Sequence, residues 1–173
     1  LSGNTVVSTV MCNLGFTKAM EAAGIDVIQT QVGDRYVLQQ LREGGYVLGG
    51  EQSGHMIFLK HNSTGDGLIT ACQFLSACLR KGGAVSEVAS VMQRFPQELI
   101  NVKVTDKHAV TGNDAVAKAI EAGSEKLGDS GRILVRPSGT EPLVRVMVEA
   151  PTSEQAHEVA AEIAEVIEKE LGL

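Results

Sequence analysis

The sequence predicts a fold in two parts, an α/β unit with a mixed sheet followed by a smaller α+β unit. In the first part, β-branched runs alternate with helical stretches that stop at glycines, which is typical of βαβ units with parallel strands. In the second part the predicted order is β-α-β-β-α, which is typical of helices packed on one side of an antiparallel sheet. Pro96 separates the two patterns. We therefore predict one domain over residues 1–95 and another over residues 96–173.

The first part contains four strand-length runs bounded by glycine or polar residues. They cover residues 5–10, 25–30, 46–48 and 56–59. Short helices are expected before Gly24 and over residues 36–42, and a longer one follows Asp66, a good N-cap. The longer helix carries an apolar stripe with helical spacing, formed by Leu68, Cys72, Leu75 and Leu79. A further short helix over residues 86–94 is expected to stop at Pro96.

The second part has three predicted strands and two predicted helices. The strands cover residues 99–105, 133–135 and 143–148, with Val102 and Val104 on one face of the first. Asn113 or Asp114 is expected to cap the first helix, which turns Val116, Ile120 and Leu127 inward and ends at Gly128. Thr152 and Gln155 form a capping box for the last helix. The broad apolar face of that helix consists of Ala156, Val159, Ala160, Ile163, Val166 and Ile167.

The composition is that of a folded globular protein, with 43% hydrophobic and 21% charged residues. The net charge of -6 argues against general nucleic-acid binding, because there is no basic surplus to displace counterions from phosphates. No apolar run reaches the roughly 20 residues needed to span a bilayer, and the N-terminus lacks a signal-peptide pattern. We therefore expect a cytoplasmic protein without nucleic-acid or membrane partners.

The sequence contains three cysteines, Cys12, Cys72 and Cys78. Their number is odd, and they lack the CxxC spacing of metal and redox sites. Buried, reduced thiols are the expected state. A metal site formed by His55, His61 and Asp66 is an alternative, but its spacing matches no known ligand motif. We expect no metal ligands in this sequence.

The segment RPSGTEP, which begins at Arg136 between two predicted strands, concentrates groups that bind a phosphate. Arg136 offers a bidentate fork, while Ser138 and Thr140 offer hydroxyl groups. Gly139 lets the backbone come close to a ligand, and successive N–H groups could form an anion-binding nest. Arg145, on the following strand, could add a second positive charge. The alternative is a plain hairpin turn, but arginines flanking the loop in a negatively charged protein favour phosphate binding.

A second polar loop carries Glu51, Ser53 and His55 at alternate positions between glycines. In an extended segment, alternate side chains point the same way, so these groups would converge. A carboxylate, a hydroxyl and an imidazole together form a plausible carbohydrate site. An exposed polar hairpin loop is the alternative.

The loops GEQSGH at residues 50–55 and RPSGTEP at residues 136–142, in that order, resemble the α-D-phosphohexomutase superfamily. The segments TVVSTVMCNLGF at 5–16, VGDRYV at 32–37 and TGDGLIT at 64–70 narrow the resemblance to the phosphoglucosamine mutases. Gln52, between Glu51 and Ser53, resembles the residue that phosphoglucosamine mutases carry at this position of the loop. Phosphomannomutases usually have Met there. A phosphomannomutase/phosphoglucomutase is the near alternative. Cys12 stands where many phosphoglucosamine mutases carry Ser, and we expect little consequence.

The resemblance implies an enzyme with four domains around one cleft, which interconverts glucosamine 6-phosphate and glucosamine 1-phosphate. It implies a phosphoserine donor in the first domain and Mg²⁺ held by an Asp-rich loop of the second. Glucosamine 1,6-bisphosphate or glucose 1,6-bisphosphate would be the activator. The third domain would supply the sugar-specificity loop, and the fourth, with a TATA-box-binding-protein-like fold, would bind the substrate's phosphate. The residues implied for substrate binding are Glu51, Ser53, His55, Arg136, Ser138, Gly139, Thr140 and Arg145.

The serine nucleophile loop and the DxDxD-type metal loop of this family are absent from the sequence. We therefore expect the substrate-binding part of such an enzyme, without catalytic residues, inactive alone and partnered by N-terminal domains of the same protein. The match begins inside the third domain, so an apolar face left open by a missing first helix could favour self-association, for example as a homodimer. The remaining alternatives are a non-catalytic phosphosugar-binding module and a structural domain in which both loops are turns.

Overall fold

The computed structural model describes all 173 residues. They divide into two compact units, Leu1–Arg94 and Phe95–Leu173. The first unit is built on a four-stranded sheet and the second on a three-stranded sheet. This confirms the predicted combination of an α/β and an α+β fold. No helix is both long enough and apolar enough to cross a lipid bilayer.

The first unit has a mixed sheet with the strand order β2-β1-β3-β4. Its strands are β1 (Thr5–Thr9), β2 (Asp26–Thr30), β3 (Leu48–Gly50) and β4 (Met56–Phe58). Its helices are α1 (Leu14–Ala22), α2 (Asp34–Gly44), α3 (Gly67–Lys81) and α4 (Val85–Ala89). Strand β1 pairs in parallel with both β2 and β3, while β3 and β4 form an antiparallel hairpin. The parallel pairs are those that strand-helix-strand alternation predicts.

The core of the first unit lies between the sheet and α2. Val37 and Leu41 of this helix are fully buried and pack against Val7 of β1 and Ile57 of β4. The helix is strongly amphipathic, so burying this face accounts for its position on the sheet. Strands β3 and β4 are thereby held firmly at the base of the turn that joins them.

Strand β3 begins two residues later than the predicted strand over 46–48 and includes both glycines of the Gly49-Gly50 pair. A Cβ atom on Gly49 would lie 2.7 Å from Cγ1 of Val37 and 2.9 Å from the carbonyl oxygen of Val7. Only glycine fits where β3 passes between β1 and α2. The sequence pattern therefore misplaced this strand because a glycine pair usually marks a stop.

The α3 helix begins as predicted, because a side-chain oxygen of Asp66 accepts a hydrogen bond from the N–H of Ile69 at 2.9 Å. Its predicted apolar stripe, however, faces outward: Leu68, Leu75 and Leu79 are 82%, 55% and 85% exposed. The prediction of buried thiols is also wrong for two of the three cysteines. Cys72 is exposed and Cys12 is half-buried, while Cys78 alone is buried.

The α4 helix ends at Ala89 and does not extend to residue 94 as predicted. The hydroxyl of Ser90 donates to the carbonyl oxygen of Glu87 at 3.1 Å. A serine that bonds to nearby backbone competes with the helical hydrogen bonds. The helix therefore stops well before Pro96.

The second unit has an antiparallel sheet with the strand order β5-β7-β6. Its strands are β5 (Gln97–Lys103), β6 (Arg132–Pro137) and β7 (Leu143–Glu149), and its helices are α5 (Asp114–Leu127) and α6 (Ser153–Leu171). The chain order is the predicted β-α-β-β-α. Asn113 caps α5, since its Oδ1 accepts from the N–H groups of Ala115 and Val116 at 3.0 Å each. Thr152 caps α6 by accepting from the N–H of Gln155 at 3.2 Å.

The two faces of this sheet carry different residues. Alternate strand residues such as Val102, Val144 and Val146 are buried against α5 and α6, with the predicted apolar face of α6 opposite them. The intervening residues therefore project from the other face. In one register row across the three strands, these are Asn101, Arg145 and Arg136. The fold thus places two arginines side by side on the face away from the helices.

Candidate functional site

Arg136 and Arg145 are directly paired across β6 and β7. Arg136 belongs to the strand, which extends beyond the predicted 133–135 to Pro137. Two like charges at opposite positions of an antiparallel pair destabilise it by a few tenths of a kcal/mol to about 1 kcal/mol. The pair therefore costs free energy in the absence of an anion.

The side chain of Arg136 makes neither an ion pair nor a hydrogen bond with the protein. Burial, and to a smaller degree the charge of Arg145, lowers the pKa of the Arg136 guanidinium. An arginine nevertheless remains protonated in proteins. The result is a partly buried positive charge with no partner of its own.

Arg145 is only partly compensated. Its Nη2 lies 3.3 Å from Oε2 of Glu141, while its Nε is buried and has no hydrogen-bond partner. A buried donor without a partner costs about 1–3 kcal/mol. Glu141 was not among the predicted site residues, although its place in the loop next to two arginines signals such a contact.

The loop between β6 and β7 is fixed by Ser138, whose side chain is nearly inaccessible at 2% exposure. The N–H of Ser138 donates to the carbonyl oxygen of Leu143 at 2.9 Å, and its Oγ accepts from the N–H of Glu141 at 3.3 Å. The hydroxyl hydrogen of Ser138 remains available to donate. Ser138 thus shapes the turn from a buried position.

Gly139 and Thr140 are exposed at the tip of this turn. Neither of their N–H groups is hydrogen-bonded within the protein. A Cβ atom at Gly139 would meet nothing within 4 Å, so the space beside the backbone is open. The structure therefore brings together all five predicted residues of this loop and its flanks: Arg136, Ser138, Gly139, Thr140 and Arg145.

Lys107 is a further residue at this loop that the sequence pattern did not indicate. Its Nζ donates to the carbonyl oxygen of Ser138 at 2.7 Å and to that of Gly139 at 3.3 Å. Lys107 begins a short 3-10 turn, Lys107–Val110, that follows β5. No local sequence feature reveals a contact over such a separation along the chain.

The loop with Glu51, Ser53 and His55 is a tight turn of the β3-β4 hairpin, and not an extended segment as predicted. The N–H of Glu51 donates to the carbonyl oxygen of His55 at 2.8 Å, and the N–H of Gly54 donates to that of Glu51 at 3.0 Å. Strand alternation therefore does not bring these three side chains to one side. Ser53 and His55 are exposed, and the ring of His55 lies beside Gly65.

Glu51 holds the start of α2, because its Oε1 accepts from the N–H of Gly33 at 3.0 Å. Gly33 is the N-cap of this helix, with a φ of 133° that favours glycine. Asp34 is the first residue of the helix. A carboxylate at a helix N-terminus is stabilised by the unpaired N–H groups and the helix dipole.

Replacing Glu51 with Ala is expected to destabilise the first unit by about 0.5–2 kcal/mol, as the loss of a helix cap does. Urea unfolding followed by the amide signals of α2 would measure this. Glu43→Ala, which removes an exposed carboxylate at the other end of the helix, is the control. Equal effects of the two substitutions would contradict a capping role for Glu51.

A cavity of about 550 Å³ lies beside this hairpin in the first unit. Its lining includes Ser8, Cys12, Asn13, Glu51, Gln52 and Arg94. Glu51 therefore reaches both the cavity and the start of α2, while Ser53 and His55 are outside the lining. Of the three predicted sugar-loop residues, Glu51 alone lines this cavity.

No group of three or more His, Cys, Asp or Glu side chains is arranged to hold a metal ion. The alternative site of His55, His61 and Asp66 does not form, since His61 contacts Gln73 and Asp66 caps α3. The residues of this chain therefore do not fit a Mg²⁺ site.

Two family models match the chain. Residues 1–95 match "Phosphoglucomutase/phosphomannomutase, alpha/beta/alpha domain III". Residues 99–166 match "Phosphoglucomutase/phosphomannomutase, C-terminal domain". The chain belongs to the phosphoglucomutase/phosphomannomutase family.

Curated members of this family are similar over essentially the whole chain. It is 56% identical over 172 residues to the phosphoglucosamine mutase of Bacillus licheniformis, covering 99% of this chain and 38% of that protein. It is 54% identical over 173 residues to the phosphoglucosamine mutase of Staphylococcus carnosus, covering 100% of this chain and 38% of that protein. The chain thus spans about 38% of the length of these relatives.

Solved structures share the fold at low sequence identity. An N-acetylphosphoglucosamine mutase of Aspergillus fumigatus superimposes with a TM-score of 0.82 at 18% identity, over 95% of this chain and 38% of that one. The same enzyme in complex with GlcNAc-6P and magnesium gives a TM-score of 0.79 at 18% identity, over 94% of this chain and 41% of that one. These structures support the architecture of the two units.

Proposed function

We propose that the chain is the phosphosugar-binding part of a phosphoglucosamine mutase, which interconverts glucosamine 6-phosphate and glucosamine 1-phosphate. The observation that carries this proposal is the pair formed by Arg136 and Arg145 beside a loop with free N–H groups. Two relatives over 50% identical bear that name, which favours glucosamine phosphate over other hexose phosphates as the substrate.

A phosphate dianion at the β6-β7 loop would supply what this site lacks. It would neutralise the guanidinium of Arg136 and offset its repulsion with Arg145. The N–H groups of Gly139 and Thr140, with the hydroxyls of Ser138 and Thr140, would donate to the remaining phosphate oxygens. Hydrogen bonds to a charged group contribute about 1.5–3 kcal/mol each.

In the first unit, Glu51 is the best placed of the residues proposed to recognise the sugar. Its Oε1 is occupied by the N–H of Gly33, whereas its Oε2 is available to accept from a hydroxyl or amino group of the sugar. Ser53 and His55 are exposed on the same turn and complete the proposed specificity loop.

This chain's own contribution to the reaction is to hold the phosphosugar at its phosphate and its hydroxyl groups. Mg²⁺ and a phosphoserine donor would have to be supplied by other domains of the full-length protein. A sugar bisphosphate, glucosamine 1,6-bisphosphate or glucose 1,6-bisphosphate, is the proposed activator. A family relative has been solved with glucose 1,6-bisphosphate, which supports this ligand class.

The test is a chimera in which this chain replaces the matching 38% of the Bacillus licheniformis enzyme. We expect turnover of glucosamine 6-phosphate, in the presence of Mg²⁺ and glucose 1,6-bisphosphate, within about tenfold of the unaltered relative. Glucose 6-phosphate and mannose 6-phosphate are the comparison substrates.

A folded chimera that prefers glucose or mannose 6-phosphate would overturn the assignment to glucosamine phosphate. A folded chimera that turns over none of the three, while the unaltered enzyme is active, would overturn the proposed function itself. Circular dichroism and the sedimentation profile of both proteins establish folding beforehand.

A further inference from the structure

We infer that Lys107 is a positioning residue for the phosphate loop: it sets the direction of the N–H groups that receive the anion. This inference rests on the proposed function of that loop. Lys107 lies on a separate 3-10 turn and binds the loop only through the carbonyl oxygens of Ser138 and Gly139, at 2.7 and 3.3 Å.

The geometry of the peptide bond converts these two contacts into a direction. The chain contains no cis peptide bond, so each carbonyl oxygen is opposed by the N–H of the following residue. Binding the carbonyls of Ser138 and Gly139 on the Lys107 side therefore turns the N–H groups of Gly139 and Thr140 to the opposite side. These are the N–H groups of the turn that have no partner in the protein.

Lys107 is itself held in place. Asp106 caps the 3-10 turn, with its Oδ1 accepting from the N–H of His108 at 2.9 Å. Lys107 is half-buried, which restricts the long side chain. A fixed ammonium group beside two carbonyl oxygens is a stronger constraint than a neutral donor would be, because charge-assisted hydrogen bonds are roughly twice as strong.

The constraint matters because Gly139 makes this turn easy to distort. Glycine adopts many backbone conformations. Rotation of the Ser138–Gly139 or the Gly139–Thr140 peptide plane would turn a carbonyl oxygen, in place of an N–H, toward the anion site. An oxygen dipole facing a phosphate would repel it. Lys107 opposes that rotation at both planes, so it prepares the anion site without occupying it.

The experiment compares Lys107→Met with Lys107→Arg in the 173-residue chain. The matched control is Lys118→Met, which removes an exposed cation from the surface of α5. The probe is inorganic phosphate, titrated while the amide signals of Gly139 and Thr140 are followed by NMR. The ¹⁵N relaxation of the same two amides is measured without phosphate.

We expect Lys107→Met to weaken phosphate binding about tenfold and to increase the fast motion of the Gly139 and Thr140 amides. Lys107→Arg, which keeps a charged donor, should restore most of the affinity, while Lys118→Met should leave both quantities unchanged. A merely structural role of Lys107 would shift the thermal unfolding midpoint without mobilising these two amides selectively.

Unchanged affinity in Lys107→Met, or unchanged relaxation of both amides, would overturn the inference while leaving the proposed phosphate site intact. Absence of phosphate binding by the parent chain would overturn the proposed function, and the positioning role with it. The two failures are therefore distinguished by the parent titration.

Discussion

Replacing Arg136 with Gln is expected to weaken the binding of glucosamine 6-phosphate by about 100-fold, or roughly 2.7 kcal/mol. The guanidinium offers two parallel donors and a full charge, and the protein gives it no other partner. Glutamine keeps a polar head on a shorter side chain and loses the charge and the fork. Calorimetric titration of the chain at pH 8, where the phosphate is a dianion, measures the change.

The same substitution should leave the free energy of unfolding of the second unit unchanged or raise it by about 0.2–1 kcal/mol. The reason is that Arg136 faces Arg145 directly across the strand pair, and like charges at such positions repel. Loss of binding together with equal or greater stability is the expected signature of a residue kept for a ligand. Urea unfolding of the ligand-free variant supplies this second measurement.

Arg136→Lys and Lys118→Gln complete the series. Lysine keeps the positive charge on a single ammonium group but cannot form two parallel hydrogen bonds. We therefore expect an affinity between those of the parent chain and Arg136→Gln. Lys118→Gln removes one exposed positive charge from α5 and should change the affinity less than threefold. Arg136→Gln binding as tightly as the parent would mean that the loop is a turn and not a phosphate site.

The sequence was sufficient for the parts of this fold that depend on periodicity and capping. Val102 of β5 and Val104 just after its end are buried as their alternation predicts, and Asp66 and Thr152 cap the helices expected of them. Such features follow from residues within a few positions of one another. The grouping of donors in the β6-β7 loop was predictable for the same reason, since these donors are nearly consecutive in the sequence.

Features that depend on distant parts of the chain were missed. Lys107 contacts the β6-β7 loop from another segment of the chain. The hydrogen bond between Glu51 and Gly33 forms because the sheet topology brings their two loops together. Gly49 looks like a stop in sequence but is a strand residue, because α2 and β1 approach it too closely for a side chain. The prediction that the apolar stripe of α3 is buried was wrong, because periodicity identifies an apolar face without showing what covers it.

The arginines on the sheet face away from the helices in the second unit also differ in their contacts with the protein. Arg132 and Arg136 of β6 and Arg145 of β7 lie on that same face, and the sequence alone does not tell their roles apart. Arg132 contacts the fully buried carboxylate of Glu149, whereas Arg136 contacts no acidic group. Compensation by a buried internal partner indicates a structural role for Arg132, and the lack of any such partner supports the ligand role proposed for Arg136.

Replacing Arg132 with Leu is accordingly expected to destabilise the second unit by about 3–5 kcal/mol. Glu149 has no exposed surface, and its Oε2 receives Nη2 of Arg132 at 3.0 Å and Nε at 3.1 Å. Removing the arginine takes these two donors and a neutralising charge from a carboxylate that water does not reach. Urea unfolding, followed through the amide signals of β6 and β7, measures the loss.

Two further variants test whether burial is the cause. The double substitution Arg132→Leu with Glu149→Leu should recover much of the stability, because no unpaired charge is left in the sheet. Lys126→Met breaks a shorter ion pair, 2.6 Å from Glu162, but both partners are about half exposed, so little change is expected. If Lys126→Met cost as much as Arg132→Leu, distance and not burial would govern these pairs, and the division of the arginines into structural and ligand-binding residues would lose its basis.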